Sequence, residues 1–180
     1  LYFVNQIINT IMEEDRSKVK KNVKPELESK VVDSLSTFAE QWQSRALYAI
    51  LHSYYAMKTE TDEEFEDPNN LDRKKSVEFA EKCFALDPVK CDYSFLIQDY
   101  YRSHNNFAKR DEWLRKGSEL AKNGYVTMML GELYVEGKEG YKQDKALGLA
   151  YMKKGKQIFE DRGYMEQSKK AEKHIQKYSQ

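Results

Sequence analysis

Residues that interrupt helices are scarce in this chain. Its 180 residues include only 8 glycines and 3 prolines, while charged residues make up 33%. Tight strand turns depend on glycine and proline, whereas long amphipathic helices need few of either. The composition therefore predicts an all-α fold, with a core in which 13 tyrosines and 8 phenylalanines supply much of the contact area.

The chain also lacks an excess of charge of either sign. Its 30 basic residues balance 30 acidic residues, so the formal net charge is zero. Binding to a phosphate backbone needs a positive excess on one face of the protein. We therefore expect no nucleic-acid partner.

Motifs of common catalytic sites are missing as well. The sequence has no phosphate-binding glycine loop, no GxSxG elbow and no HExxH helix. Its 3 histidines lie far apart, without a carboxylate at metal-ligand spacing. We therefore expect no enzyme activity, no cofactor, no metal and no small-molecule substrate.

A five-residue pattern is present three times. FAEKC, WLRKG and YMKKG begin at Phe79, Trp113 and Tyr151, and each reads aromatic, apolar, charged, lysine, small. Successive copies begin 34 and 38 residues apart. This is the spacing of stacked two-helix units, so the pattern predicts a helical-repeat architecture.

A second pattern precedes each copy, with an apolar residue four places before a tyrosine. The tyrosines are Tyr55, Tyr101 and Tyr134. Because four residues make about one helical turn, we expect each pair on one face and the three tyrosines largely buried. The first unit carries an acidic insertion, TETDEEFEDPNN at residues 59–70, which lacks the DxDxDG pattern of a calcium loop and predicts a solvated loop.

Two stretches carry a family resemblance. Residues 125–147 read YVTMMLGELYVEGKEGYKQDKAL, and ALDP at residues 85–88 precedes the middle unit at residues 91–123. These stretches resemble the tetratricopeptide superfamily and, in the third unit, its Sel-like repeat branch. The resemblance covers residues 46–163 and implies a right-handed stack of antiparallel helix pairs. The matching residues of the third unit are Leu130, Gly131, Tyr134, Gly137, Gly140, Asp144 and Ala146.

The chain departs from that family pattern at three positions. His52 and Gln98 replace the small residue found at Gly131, and Arg110 stands where the family usually has alanine. We expect these bulky side chains to alter how closely the helices of the first two units approach each other.

No linker tract divides the chain, so we expect a single domain over residues 1–180. It would contain N-terminal helices at residues 1–44, three repeats at 45–163 and a polar-faced capping helix at 164–180. The apolar segment LYFVNQIINTIM at residues 1–12 is too short to span a bilayer and predicts a docking helix. Membrane contact is expected only through an anchor upstream of it.

Cys83 and Cys91 allow two interpretations. Cys83 occupies the small position that Gly117 and Gly155 fill in the other copies, which predicts a buried free thiol. The pair also resembles the cysteines that flank the turn between helices in cysteine-rich Sel-like repeat proteins of oxidising compartments. That resemblance implies a possible disulfide, and with it a periplasmic or secreted location over a cytoplasmic one.

In the tetratricopeptide arrangement the first helix of each unit lines a concave face. The resemblance places there, as candidate partner-binding residues, Asp92, Phe95, Asp99, Arg102, Tyr125, Met128 and Glu132. Three of them, Phe95, Tyr125 and Met128, are expected to anchor apolar side chains, since aromatic residues dominate binding hot spots. The acidic residues are expected to favour basic side chains on a protein or peptide partner.

The resulting function prediction is a non-enzymatic protein-interaction module. By analogy with Sel-like repeat proteins, it would be a bacterial envelope adaptor or an immunity protein that neutralises a secreted effector. The alternative is a structural subunit of an envelope or secretion assembly.

Overall fold

The computed structural model describes residues 25–59, 67 and 69–179. Across these residues the regular structure consists of eight α-helices without a strand, which confirms the all-α prediction. The predicted docking helix at residues 1–12 and most of the acidic insertion lie outside the described residues. The chain divides into two compact units, Leu1–Gln43 and Ser44–Gln180, so a single domain over the whole chain stays a prediction.

The first unit contains one described helix, α1, at Pro25–Trp42. Proline is well tolerated at the first helical position because its missing N–H has no intrahelical partner there. The hydroxyl groups of Ser34 and Thr37 donate to the carbonyls of Lys30 and Asp33, one turn back along the helix.

The described residues of the second unit form seven helices, and helices adjacent in sequence pack against each other. They are α2 Arg45–Lys58, α3 Leu71–Leu86, α4 Ser94–Ser103, α5 Phe107–Glu119, α6 Gly124–Glu136, α7 Lys145–Asp161 and α8 Met165–Ser179.

Five of these helices begin at a short polar side chain. Each capping oxygen accepts a hydrogen bond from the backbone N–H three residues on, which satisfies one of the donors left free at a helix start. The capping residues are Ser44, Asn70, Asn106, Asn123 and Asp144. The helix boundaries thus follow from local sequence as well as from packing.

Apolar clusters that share helices link the second unit from α3 to α8. Phe84 and Trp113 meet edge to face, with ring centroids 5.0 Å apart. Further along, Leu114 and Leu130 pack between α5 and α6, and Met152 packs with residues of α6 and α8. Because each helix contributes to a shared cluster, burial of apolar surface links neighbouring helices along the chain.

The three equivalent tyrosines are buried to different degrees. Tyr55 is buried, whereas Tyr101 and Tyr134 are half-buried. The hydroxyl of Tyr101 donates to Glu81 at 2.8 Å, and that of Tyr134 accepts from Arg115 at 2.6 Å. The rings of Tyr101 and Tyr134 therefore pack inward, while their hydroxyl groups stay near the surface with a charged partner.

Two helix pairs cross at equivalent positions of the repeated pattern. In α6 and α7 the glycines Gly131 and Gly148 face each other so closely that a methyl group added to Gly148 would lie 2.6 Å from the Gly131 carbonyl oxygen. In α2 and α3 the same positions hold His52 and Ser76, whose Oγ lies 2.9 Å from His52 Nδ1. Backbone contact in one pair is replaced by a buried hydrogen bond in the other.

Candidate functional site

A pocket of about 340 Å³ lies on the surface that α4 and α6 form together. An arginine from α5 and the loop after α6 complete it. The pocket is lined by Phe95, Gln98, Asp99, Arg102, Arg110, Met129, Glu132, Leu133, Glu136, Lys138 and Glu139.

The base of the pocket is formed by the crossing of α4 and α5. Gln98 and Arg110 occupy the positions that glycines hold in α6 and α7, and they are 1% and 4% exposed. Arg110 Nε donates to Gln98 Oε1 at 3.0 Å. Nη1 of the guanidinium pairs with the carboxylate of Glu139, and Nη2 lies 4.0 Å from the Met129 sulfur. Burial lowers the pKa of Arg110. The pocket lining therefore contains a buried guanidinium group.

An aromatic ring lies at the rim. Phe95, on the first turn of α4, is 50% exposed although it lines the pocket. A phenylalanine with this much free surface next to a concavity can bury more apolar area when another molecule enters.

The acidic residues of the rim are already paired within the chain. Asp99 accepts from Arg102 at 2.7 Å, and the Arg73 guanidinium lies 3.7 Å from its other oxygen. Glu132 lies 3.2 Å from His174 Nε2 on α8. A basic side chain from a partner must therefore compete with these internal partners, so selection for basic groups is weaker than the sequence suggests.

Burial also changes the pKa of Glu132. It raises the pKa of this carboxyl above its usual value, and the neighbouring His174 acts in the opposite direction. Glu136, one turn further along α6, pairs with Lys138 at 2.7 Å. The pocket thus contains both signs of charge, arranged in pairs.

Four of the seven sequence-predicted binding residues line this pocket together. Phe95, Asp99 and Arg102 come from α4, and Glu132 comes from α6. They meet because the spacing of three to four residues places them on one face of each helix.

The other three predicted residues lie elsewhere. Asp92 accepts hydrogen bonds from Ser94 at 2.6 Å and from Asn123 at 2.8 Å, so it ties the starts of α4 and α6 together. Tyr125 is 55% exposed, and its ring lies against Phe159 with centroids 4.8 Å apart.

Met128 belongs to the core instead of the pocket. It is 9% exposed and packs with α7 and α8, where the lack of a side chain on Gly155 leaves room for it. Its neighbour Met129 lines the pocket. Met128 therefore packs inward beside Gly155 and does not line the pocket.

Sequence reasoning missed seven lining residues, which are Gln98, Arg110, Met129, Leu133, Glu136, Lys138 and Glu139. Arg110 did carry a signal, because it departs from the alanine of the family pattern. Lys138 and Glu139 carried none, since they lie in an exposed loop whose course the helical period does not predict.

Cys83 and Cys91 meet at the turn between α3 and α4. The structure brings the two sulfur atoms into disulfide contact, with Cα atoms 5.7 Å apart. This separation is within the range that a bridge requires. Both residues are almost fully buried, so the pair connects the last turn of α3 to the turn that precedes α4 beneath the surface.

Among the described residues, no group of three or more histidine, cysteine or acidic side chains is placed to hold a metal ion. The described helices are each too short or too polar to cross a membrane. Comparison of the chain with models of protein families, with curated proteins and with solved structures gives no match.

Proposed function

We propose that this chain is a non-enzymatic protein-interaction module that binds a segment of a partner protein in the pocket between α4 and α6. The observation that carries this proposal is the half-exposed ring of Phe95 at the rim of a concave, charge-lined site. The partner segment would place an apolar side chain against this ring. Basic groups of the segment would contact Asp99 and Glu132.

The expected contribution of Phe95 can be worked from its exposure. A phenylalanine presents roughly 200 Å² of surface, and half of that is free here. At about 20 cal/mol per Å², the lower end of the usual range, covering the free half gives about 2 kcal/mol. This corresponds to about a 30-fold change in affinity, the size of a binding hot spot.

We also infer that α2 to α7 form a tetratricopeptide-like stack of three helix pairs. In its support, the second helix of each pair carries one copy of the five-residue pattern, and each pair meets at the equivalent position. The disulfide contact favours an oxidising compartment, hence a periplasmic or secreted location. An adaptor or immunity protein of the bacterial envelope is the role that these inferences favour.

The proposal can be tested before the partner is identified. Peptides that bind the wild-type chain are selected from a random display library. The affinities of the selected peptides are then measured for the wild type, Phe95→Ala and Phe107→Ala. Phe107 is a matched control because it is 41% exposed and lies outside the pocket lining. We expect Phe95→Ala to weaken binding about 30-fold and Phe107→Ala to have little effect.

The loss of affinity should appear as faster dissociation, since anchor residues mainly hold the bound state. The proposal fails if the selected peptides bind Phe95→Ala as tightly as the wild type while both variants keep the wild-type melting temperature.

A further inference from the structure

The base of the pocket contains a buried guanidinium whose partner comes from a loop. Arg110 is 4% exposed, and its Nε is used by Gln98 at 3.0 Å. Nη1 pairs with the carboxylate of Glu139, and Nη2 lies 4.0 Å from the sulfur of Met129. A charge this deeply buried needs a partner, because removing one member of a buried pair leaves the other uncompensated.

Glu139 reaches Arg110 from an unfavourable backbone conformation. Its φ is 52°, in the left-handed region that residues with a side chain adopt at a cost of about 1 kcal/mol. Gly137 and Gly140, on either side, also have positive φ, of 64° and 86°. The Tyr141 N–H donates to the Lys138 carbonyl at 3.0 Å and closes a turn around Glu139 and Gly140, and this turn presents the Glu139 carboxylate to Arg110.

The loop is held at both ends independently of Glu139. The backbone N–H of Gly137 donates to the Leu133 carbonyl at 2.9 Å, and that of Asp144 donates to the Tyr134 carbonyl at 2.8 Å. Release of the carboxylate from Arg110 would therefore leave the loop attached. The Glu139 side chain is 35% exposed, so solvent and ligands can reach it.

We propose that Arg110 is a carboxylate-binding element of the pocket, that Glu139 occupies it in the free protein, and that an acidic side chain of the partner takes the place of Glu139. This inference rests on the proposed function, since it assigns one chemical group of the partner segment. The segment then carries an apolar residue for Phe95 and a carboxylate for Arg110.

The chemistry of arginine favours this ligand over others. The planar guanidinium presents paired N–H groups that match the two oxygens of a carboxylate. With Nε bound to Gln98, the edge formed by Nη1 and Nη2 is left for a carboxylate, and Nη2 there has the weak acceptor Met129 Sδ at 4.0 Å. When an incoming carboxylate replaces Glu139, the arginine charge has a partner both in the free protein and in the complex.

The affinity for a carboxylate should therefore be limited by competition with Glu139. If the internal pair is closed about 90% of the time, an outside ligand binds about tenfold more weakly than to an open site. Glu139→Gln should remove the competing carboxylate and raise the affinity for an outside carboxylate about tenfold.

The test uses N-acetyl-glutamate amide as the probe and N-acetyl-glutamine amide as its uncharged counterpart. Binding is followed at fixed ionic strength by the NMR signal of the Arg110 Nε–H group. We expect the acid to bind Glu139→Gln about tenfold more tightly than the wild type, with no gain for the amide. Glu136→Gln is the matched control, because it removes a carboxylate from the same pocket that pairs with Lys138 instead of Arg110.

Glu139→Asp provides a second variant that keeps the charge and the fold. Its carboxylate is one methylene shorter and should give an intermediate gain of about threefold. Equal gains with Glu139→Gln and Glu136→Gln would overturn the inference, because the effect would then be general electrostatics. No gain with either Glu139 variant would overturn it as well.

The two proposals fail separately in this design. The small probe is measured with the Glu139 and Glu136 variants, whereas the display-selected peptides are measured with the Phe95 and Phe107 variants. If Glu139→Gln gains affinity for the acid but display-selected peptides ignore Phe95, the partner-binding function fails and the carboxylate site stands. If peptides depend on Phe95 but the acid gains nothing, the carboxylate site fails and the function stands.

A carboxylate can also come from a chain terminus. Display-selected peptides distinguish the two sources, because blocking the C-terminus as an amide abolishes a terminal interaction but spares an internal acidic side chain. We expect the amidated peptides to bind as well as the free acids. Loss of binding on amidation would contradict the assignment to a side chain.

Discussion

Replacing Gly148 by alanine is expected to destabilise the protein, although alanine is the better helix former. Within a helix, alanine is favoured over glycine by about 1 kcal/mol. The added methyl group would lie 2.6 Å from the carbonyl oxygen of Gly131 and 2.8 Å from the backbone nitrogen of Val135. Neither backbone atom can move away unless α6 and α7 separate.

The magnitude follows from these two opposing effects. Inserting one methyl group into a well-packed contact costs about 1–3 kcal/mol, and a clash with backbone belongs at the upper end. After the gain in helix propensity is subtracted, we expect the free energy of unfolding to fall by about 2 kcal/mol. The melting temperature should fall by about 6 °C for a chain of this size.

Urea unfolding followed by far-ultraviolet circular dichroism measures this change. The midpoint should shift to lower urea while the slope stays constant, since the surface exposed on unfolding is the same. Gly155→Ala is the internal comparison, because a methyl group there would meet the flexible Met128 side chain at 2.9 Å and the Gly124 carbonyl oxygen at 3.0 Å. Its cost should be smaller.

Combining Gly131→Ala with Gly148→Ala tests the mechanism directly. Once the first methyl group has moved the helices apart, the second meets less resistance, so the double variant should lose less than the sum of the two. A Gly148→Ala midpoint equal to or above that of the wild type would refute the close backbone contact between α6 and α7.

Two other perturbations have defined outcomes. Burial lowers the pKa of His52 below its usual 6.5, so this side chain is neutral in the folded state and protonates first in the unfolded chain. Its contribution to stability is therefore complete above pH 6.5 and is lost as the pH falls through the folded pKa, by up to about 1.4 kcal/mol per pH unit. His52→Gln should reduce the fall in melting temperature between about pH 7 and pH 5, and an unchanged slope would show that other groups cause it. Reduction of Cys83 and Cys91 opens a loop with a sequence separation of only 8, so the chain-entropy estimate is a loss of about 2–3 kcal/mol with the helix content retained. Titration of two free thiols in the native, unreduced protein would dismiss the bridge.

The all-helical fold was predictable because its signals are local. Apolar periodicity and short polar capping residues define where helices begin, and neither depends on distant parts of the chain. The burial of the small residue in the repeated pattern was equally predictable. Cys83, Gly117 and Gly155 are all buried where helices meet. These residue types have no large side chain to accommodate, so the pattern itself indicates close approach.

Of the candidate site, only the residues that share one face of a helix were predictable from the sequence. The spacing along α4 brought Phe95, Asp99 and Arg102 to one surface, and that surface is the pocket rim. The charge state of the rim was not predictable, because the partners of its carboxylates come from other elements, as His174 on α8 does for Glu132. A helical period indicates which way a side chain faces but not which distant residue it meets.

The position of Arg110 connects the fold to the chemistry of the pocket. Where α6 and α7 cross through bare glycine backbone, α4 and α5 cross through the long side chains of Gln98 and Arg110, whose Oε1 and Nε atoms are 3.0 Å apart. These side chains fill the space between the helices and carry the guanidinium to the pocket base. A buried charge there requires a carboxylate, and Glu139 supplies it from a left-handed loop position. One departure from the repeated pattern therefore accounts both for the charge at the base of the pocket and for the need for an acidic partner from the loop beside it.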